Sequence, residues 1–143
     1  MQIADHAGPI WVTIAYILVY FGFVINVARV KSARAKDFAS RGEKFDRYFS
    51  QDREMLAADR IQLNALEQMP TFLTLLWLNA VFVGSLPTTI AGGVYVAARV
   101  AYPFLMGARL GRGIPASILV ATLPGYLVHV WFAGALIWAL VTA

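Results

Sequence analysis

Three long stretches of this 143-residue chain contain no Lys, Arg, Asp or Glu: residues 10–27, 68–98 and 113–143. A helix needs about 20 residues to cross the roughly 30 Å of hydrocarbon in a bilayer, so each stretch can hold a span, and the two longer stretches exceed what a single span requires. Only 14% of the residues are charged and the mean hydropathy is +0.64, whereas soluble domains are about 25% charged. The pattern predicts an integral membrane protein.

The middle stretch is interrupted by the run Gly84-Ser85-Leu86-Pro87-Thr88-Thr89. Gly and Pro favour a turn here, and Thr88 is a candidate N-cap for the helix that follows. The stretch therefore divides into the end of one span and the start of the next. We expect an all-α membrane protein, a four-transmembrane-helix bundle that forms a single domain over residues 1–143, with spans at residues 10–30, 53–83, 88–110 and 115–140.

Of the three connections between these spans, two contain basic residues. Seven Lys and Arg residues lie between Lys31 and Arg53, and Arg109 and Arg112 lie in the short third connection. The positive-inside rule predicts that both connections face the cytoplasm, which leaves both termini on the non-cytoplasmic side. Aromatic residues alternate with the charges of the first connection, which favours a segment held at the membrane surface by anionic lipids over a nucleic-acid-binding surface.

The second span carries a polar stripe. At about 100° per residue, five polar residues fall within a sector of about 80°: Arg60, Asn64, Glu67, Thr71 and Thr74. Gln62 points nearly opposite to Arg60, so two faces of this helix are polar and self-association of the protomer would help to bury both. In the third span one face contains Tyr95, Arg99, Tyr102 and Met106. We expect Arg99 and Glu67 to neutralise each other.

Two interpretations of these polar residues follow from the residues alone. Buried arginine–carboxylate pairs and polar amides can simply fix how membrane helices pack. The functional interpretation rests on an excess of cations, because four arginines near one membrane face (Arg60, Arg99, Arg109 and Arg112) outnumber two acids, Asp59 and Glu67. Surplus guanidinium groups in a cleft of low dielectric favour an anionic ligand, above all a carboxylate. With no cysteine and two distant histidines, we expect no metal site.

The order of these residues resembles the MAPEG family, the membrane-associated proteins of eicosanoid and glutathione metabolism. The resemblance covers essentially the whole chain and rests on Arg60, Gln62, Asn64, Glu67 and Pro70, then a turn, Arg99 and Tyr102, and then Arg112 three residues before Pro115. Within the family, this core is most similar to the synthase that joins glutathione to an epoxide of arachidonic acid, and a bacterial homologue fits the short chain equally well.

The resemblance implies a homotrimer with three sites between neighbouring protomers, each binding a bent glutathione near the cytoplasmic interface. By position, the glutathione-binding residues would be Arg60, Gln62, Asn64, Glu67, Arg99 and Tyr102, with Arg29 or Lys31 holding a carboxylate. Arg112 would stabilise the glutathione thiolate as the catalytic residue, and Arg109 is the alternative. Met106 stands where some members have a tyrosine in contact with the ligand.

The resemblance implies a glutathione-dependent membrane transferase or peroxidase that acts on lipophilic electrophiles arriving from the bilayer. Glutathione would be a co-substrate, and the other partners would be membrane lipids and the lipophilic small molecule, with no nucleic acid. The expected location is the inner membrane of a bacterium. The alternative is a non-catalytic protein of the same fold, either a four-helix scaffold, an accessory subunit or a lipid-binding protein.

Overall fold

The computed structural model describes residues 2–49, 51–111 and 116–142, and the regular structure in them is helical. The four long helices are α1 (Ala7–Ser40), α2 (Arg53–Phe82), α3 (Ser85–Met106) and α4 (Leu119–Thr142), with short 3₁₀ turns at Ile3–His6 and Ala116–Ile118. The prediction of an all-α fold with four long helices is therefore confirmed.

Three helical segments are long and apolar enough to cross a membrane: Ile3–Ser40, Ser85–Met106 and Ala116–Thr142. The second helix, which carries charged residues as far as Glu67, is not among them. It nevertheless packs along α1 and also contacts α3 and α4. The chain is thus a membrane bundle in which α2 contributes polar residues to the interior as well as to the surface.

The first helix is longer than the sequence predicted. It ends at Ser40 and not near residue 30, so the first ten residues of the basic segment continue the helix. Several alanines separate the charges here and no Pro or Gly interrupts them, which suits a helix that leaves the membrane. The chain then turns at Gly42, whose φ of +74° lies in the left-handed region that glycine adopts readily.

The predicted cap of the third helix was wrong. Gly84, with φ +150°, occupies the N-cap position and α3 begins at Ser85. Thr88 lies inside the first turn, where its Oγ1 donates a hydrogen bond of 2.6 Å to the Gly84 carbonyl oxygen. Pro87 also fits in this first turn, because its missing N–H would have had no helical acceptor there. The helix ends at Met106, four residues earlier than predicted, and α4 begins at Leu119 after its 3₁₀ turn.

An aromatic core joins all four helices. The rings of Phe72 on α2 and Tyr95 on α3 stack with their centroids 3.9 Å apart, and Tyr16 of α1 and Phe132 of α4 pack beside them with no exposed surface. Tyr16 also donates a hydrogen bond of 2.6 Å to the Ala65 carbonyl oxygen of α2. These contacts fix the rotation of each helix about its axis, and so decide which side chains meet in the polar half of the bundle.

Ion pairs join the end of α1 and the first connection to the start of α2. Arg34 Nε lies 2.7 Å from Asp52 Oδ2, and Arg47 binds both oxygens of Asp59 at 2.7 and 2.8 Å. Asp52 is also the N-cap of α2 and accepts hydrogen bonds from two backbone N–H groups. Burial of the Asp52 carboxyl opposes its ionisation, but the Met55 N–H and the Arg34 guanidinium outweigh this and lower its pKa.

Candidate anion-binding cleft

A cleft of about 570 Å³ lies between α2, the end of α3 and the start of α4. Its polar lining consists of Arg60, Asn64, Tyr102, Thr122 and Tyr126, and its apolar lining of Met106, Leu110, Ile118 and Leu119. Arg60 lies seven residues into α2, which places it about 10 Å along the helix from the end at which the basic connection enters. The cleft therefore lies in the basic half of the bundle.

The polar groups of this cleft can all donate hydrogen bonds. A guanidinium donates only, an amide NH₂ donates twice, and phenol and hydroxyl groups can donate as well as accept. Among the described residues that line the cleft, none has a carboxylate. A cluster of donors with one fixed positive charge is complementary to an anionic ligand, and the apolar side chains that border it can contact an apolar molecule bound next to that ligand.

Arg99 lies directly behind this lining. Its side chain is buried, with 1% of its surface exposed, and its Nη1 donates a hydrogen bond of 2.5 Å to Asn64 Oδ1. The guanidinium lies over the rings of Tyr95 and Tyr102, at 4.9 and 5.8 Å from their centroids. It also lies against Gly125 of α4, where the absence of a side chain makes room for it. Asn64 of α2 therefore lies close to Arg99 and Tyr102 of α3.

The predicted pairing of Arg99 with Glu67 was wrong. In the part of the chain that the structure describes, these two side chains form no salt bridge, and Glu67 is exposed. Asn64 and Glu67 lie on the same face of α2. The packing of α3 against this face brings Arg99 to Asn64. Glu67, Thr71 and Thr74 remain uncovered within one protomer.

Two of the predicted glutathione-binding residues point away from the cleft. Gln62 donates a hydrogen bond of 3.2 Å to the Tyr20 hydroxyl of α1, on the side of α2 opposite to Arg60. Arg29 is exposed on α1, where it lines a shallow groove with Lys36. Within a single protomer the structure therefore brings Arg60, Asn64 and Tyr102 together at the cleft, whereas Gln62, Arg29 and Glu67 lie outside its lining.

The ion pairs at the helix ends involve one acid and one arginine of the sequence count, so they leave the excess of arginine unchanged. Asp59, one of the two acids counted in the sequence, is bound by Arg47 of the first connection. Arg109 Nη2 lies 2.7 Å from Glu54 Oε1, so this arginine already has a carboxylate partner. Arg112, the predicted thiolate-stabilising residue, lies outside the described residues.

The sequence reasoning missed two polar residues that α4 contributes. Thr122 and Tyr126 line the cleft opposite α2. Their separation of four residues on an otherwise apolar helix places them on one face, and this spacing is the signal that could have identified them. Tyr126 lies in the same cleft as Met106, so a phenol is present there although residue 106 is not a tyrosine.

Comparison with known protein families identifies one match. The model of the MAPEG family matches residues 9–142, nearly the whole chain. A search of curated proteins found no match. The family match confirms the resemblance that the residues of α2 and α3 indicated. Among the described residues there is also no group of three or more His, Cys, Asp or Glu side chains that could hold a metal ion.

Proposed function

The chain belongs to the MAPEG family, membrane proteins of glutathione and eicosanoid metabolism, and we propose that it is a glutathione-dependent transferase or peroxidase that acts on lipophilic electrophiles. The observation that carries this proposal is the cleft of hydrogen-bond donors with no carboxylate among its described lining residues. Glutathione is an anion with two carboxylates and one thiol, so a donor-rich cleft suits it.

Arg60, Asn64 and Tyr102 supply the contacts to glutathione in this proposal. Arginine binds a carboxylate through two parallel hydrogen bonds, and in a site of low dielectric this contact is stronger than at an exposed surface. Tyr126 adds a hydroxyl group from α4. These residues hold and orient the tripeptide, and Arg99 lies buried behind them.

The second substrate would enter along the apolar part of the lining. Met106, Leu110, Ile118 and Leu119 border the donor groups, so a molecule dissolved in the bilayer can reach the same cleft without crossing water. In a transferase reaction the thiolate sulfur attacks the electrophilic carbon, a carbon–sulfur bond forms, and the leaving group or opened epoxide oxygen takes the electron pair. The position of the cleft between polar and apolar regions suits both reactants.

Thiol activation is assigned to Arg112. A thiol has an unperturbed pKa of about 8.5 and is mostly protonated at neutral pH, and a nearby cation favours the nucleophilic thiolate. Arg109, the alternative, is held by Glu54, which makes it less available to the thiol. The assignment of Arg112 follows from its position in the family pattern.

A homotrimer completes the proposed site. The exposed stripe of Glu67, Thr71 and Thr74 on α2 is uncovered in one protomer, and Gln62 and Arg29 face a different side. Packing of neighbouring copies would cover the stripe. It would also bring Gln62 and Arg29 of one copy to the cleft of the next.

Glutathione binding and thiolate formation test the proposal together. We expect the purified protein in detergent to bind reduced glutathione at equilibrium and, on rapid mixing, to produce the ultraviolet absorbance of a thiolate. Arg112→Ala should abolish that absorbance without dissociating the oligomer, and Arg109→Ala should retain it. Absence of glutathione binding by the wild type would refute the proposal. Binding without a thiolate signal or conjugation would indicate a non-catalytic member of the family.

A further inference from the structure

The buried guanidinium of Arg99 depends on one amide. Among the described residues, neither Nε nor Nη2 of Arg99 has a hydrogen-bond acceptor, and Nη1 donates to Asn64 Oδ1. Burying a charge with so few partners costs free energy. The hydrogen bond to Asn64 therefore stabilises the buried guanidinium strongly. Any rotation of the Asn64 side chain would remove the acceptor from this cation.

This contact also determines which way the Asn64 amide points. An amide has an acceptor oxygen at one end and a donor NH₂ group at the other, whereas a guanidinium has only donors. If the amide turned around, its NH₂ group would face the N–H groups of Arg99. The oxygen of Asn64 must therefore face Arg99, and its NH₂ group is the end left for the cleft that Asn64 lines.

The surroundings of Arg99 keep it in place. A Cβ atom on Gly125 would lie 2.6 Å from Nη2, so α4 closes one side of the guanidinium. The rings of Tyr95 and Tyr102 lie against it on the α3 side, and Tyr95 is itself held by a hydrogen bond of 3.1 Å to Gln68 Oε1. The cation therefore has little room in which to follow a rotating Asn64.

We propose that Arg99 is a positioning residue that acts through Asn64 and fixes its NH₂ group as a donor toward the anion in the cleft. The inference rests on the proposed function, because the anion is taken to be glutathione. It differs from the sequence expectation in that Arg99, buried behind Asn64 and Tyr102, does not itself contact the ligand.

Replacing Asn64 with Asp separates this role from a purely structural one. Asn64→Asp gives Arg99 a carboxylate, so the melting temperature of the purified full chain should stay the same or rise. The same change replaces the NH₂ donor with a negatively charged acceptor, so the affinity for reduced glutathione, measured by titration calorimetry in detergent, should fall by at least about tenfold. A merely structural pair would not predict these opposite responses.

Gln68→Glu is the matched control, since it adds the same negative charge one turn further along α2 and retains the acceptor for Tyr95. Its glutathione affinity should stay within about threefold of the wild type. Equal losses in Asn64→Asp and Gln68→Glu would overturn the proposal, because added charge alone would then explain both. Unchanged affinity in Asn64→Asp would overturn it as well.

Changes at Arg99 provide a second, independent measurement. Arg99→Leu should weaken glutathione binding by about tenfold because the amide is released, and Arg99→Lys should restore part of the loss because an ammonium also donates to Asn64. Arg41→Leu, which removes an exposed arginine of the first connection, should leave the affinity unchanged. A wild type that binds no glutathione would refute the proposed function and this inference together, whereas normal binding in either Arg99→Leu or Asn64→Asp would refute the inference alone.

Discussion

Gly125→Ala tests the packing on which the cleft depends. Gly125 lies inside α4 and faces Arg99 of α3. The added Cβ atom would lie 2.6 Å from Arg99 Nη2 and 3.6 Å from both Arg99 Cζ and Tyr95 Cε2. The methyl group cannot fit unless the guanidinium moves away from α4.

The size of the effect follows from this distance. Nη2 would have to move from 2.6 Å to at least 3.4 Å to reach an ordinary contact, and it is buried among aromatic rings with 1% exposure. Overpacking of this kind costs about 1–3 kcal/mol, and the better helix propensity of Ala returns up to about 1 kcal/mol. We therefore expect a net loss of about 0–3 kcal/mol in the free energy of unfolding.

Gly134→Ala is the matched control in the same helix, because a Cβ atom added at Gly134 would have no neighbour within 4 Å among the described residues. It should be neutral or stabilise the protein by up to about 1 kcal/mol. The measurement is unfolding of both variants in detergent, followed by circular dichroism at increasing denaturant. The two variants should differ by about 1–3 kcal/mol, the overpacking term. Equal stabilities would show that the guanidinium is free to move, and the reasoning about Arg99 would then be wrong.

Two further predictions concern the ionic end of the bundle and the cleft. The pKa of Asp52 is lowered in the folded protein, so the stability that its ionised form contributes is complete above about pH 4, the unfolded pKa, and is lost as the pH falls through the lower folded pKa. Thermal unfolding measured between neutral pH and pH 3 should show this loss of stability in acid. The loss should be smaller in Asp52→Asn. An identical pH profile in the two proteins would contradict the prediction. Tyr126→Phe should weaken glutathione binding by about threefold to tenfold in titration calorimetry, because the phenol in the cleft is removed. Tyr48→Phe, at an exposed site, should not change the affinity, and an equal effect of the two would exclude a role for Tyr126.

Much of the architecture follows from the sequence because it depends on local properties. Uncharged runs longer than a bilayer requires predict membrane helices wherever they occur, and Gly84 with Pro87 marks the turn between α2 and α3. The polar stripe on α2, with Gln62 on the opposite face, follows from helical periodicity. The end of α1 was less predictable, because hydropathy indicates where the membrane ends and not where the helix ends.

The identity of the contacts depends on how the helices pack. Asn64 and Glu67 are about 60° apart around the axis of α2, so helical periodicity could not decide which of them meets Arg99. The packed rings of Phe72 and Tyr95 fix the rotation of α2 against α3, and this rotation selects Asn64. An excess of cations over carboxylates in the polar half of a membrane bundle can be read from the residues alone. The residues alone do not show which cation is buried behind the cleft, because the relative rotation of two helices depends on side chains that are far apart in the chain.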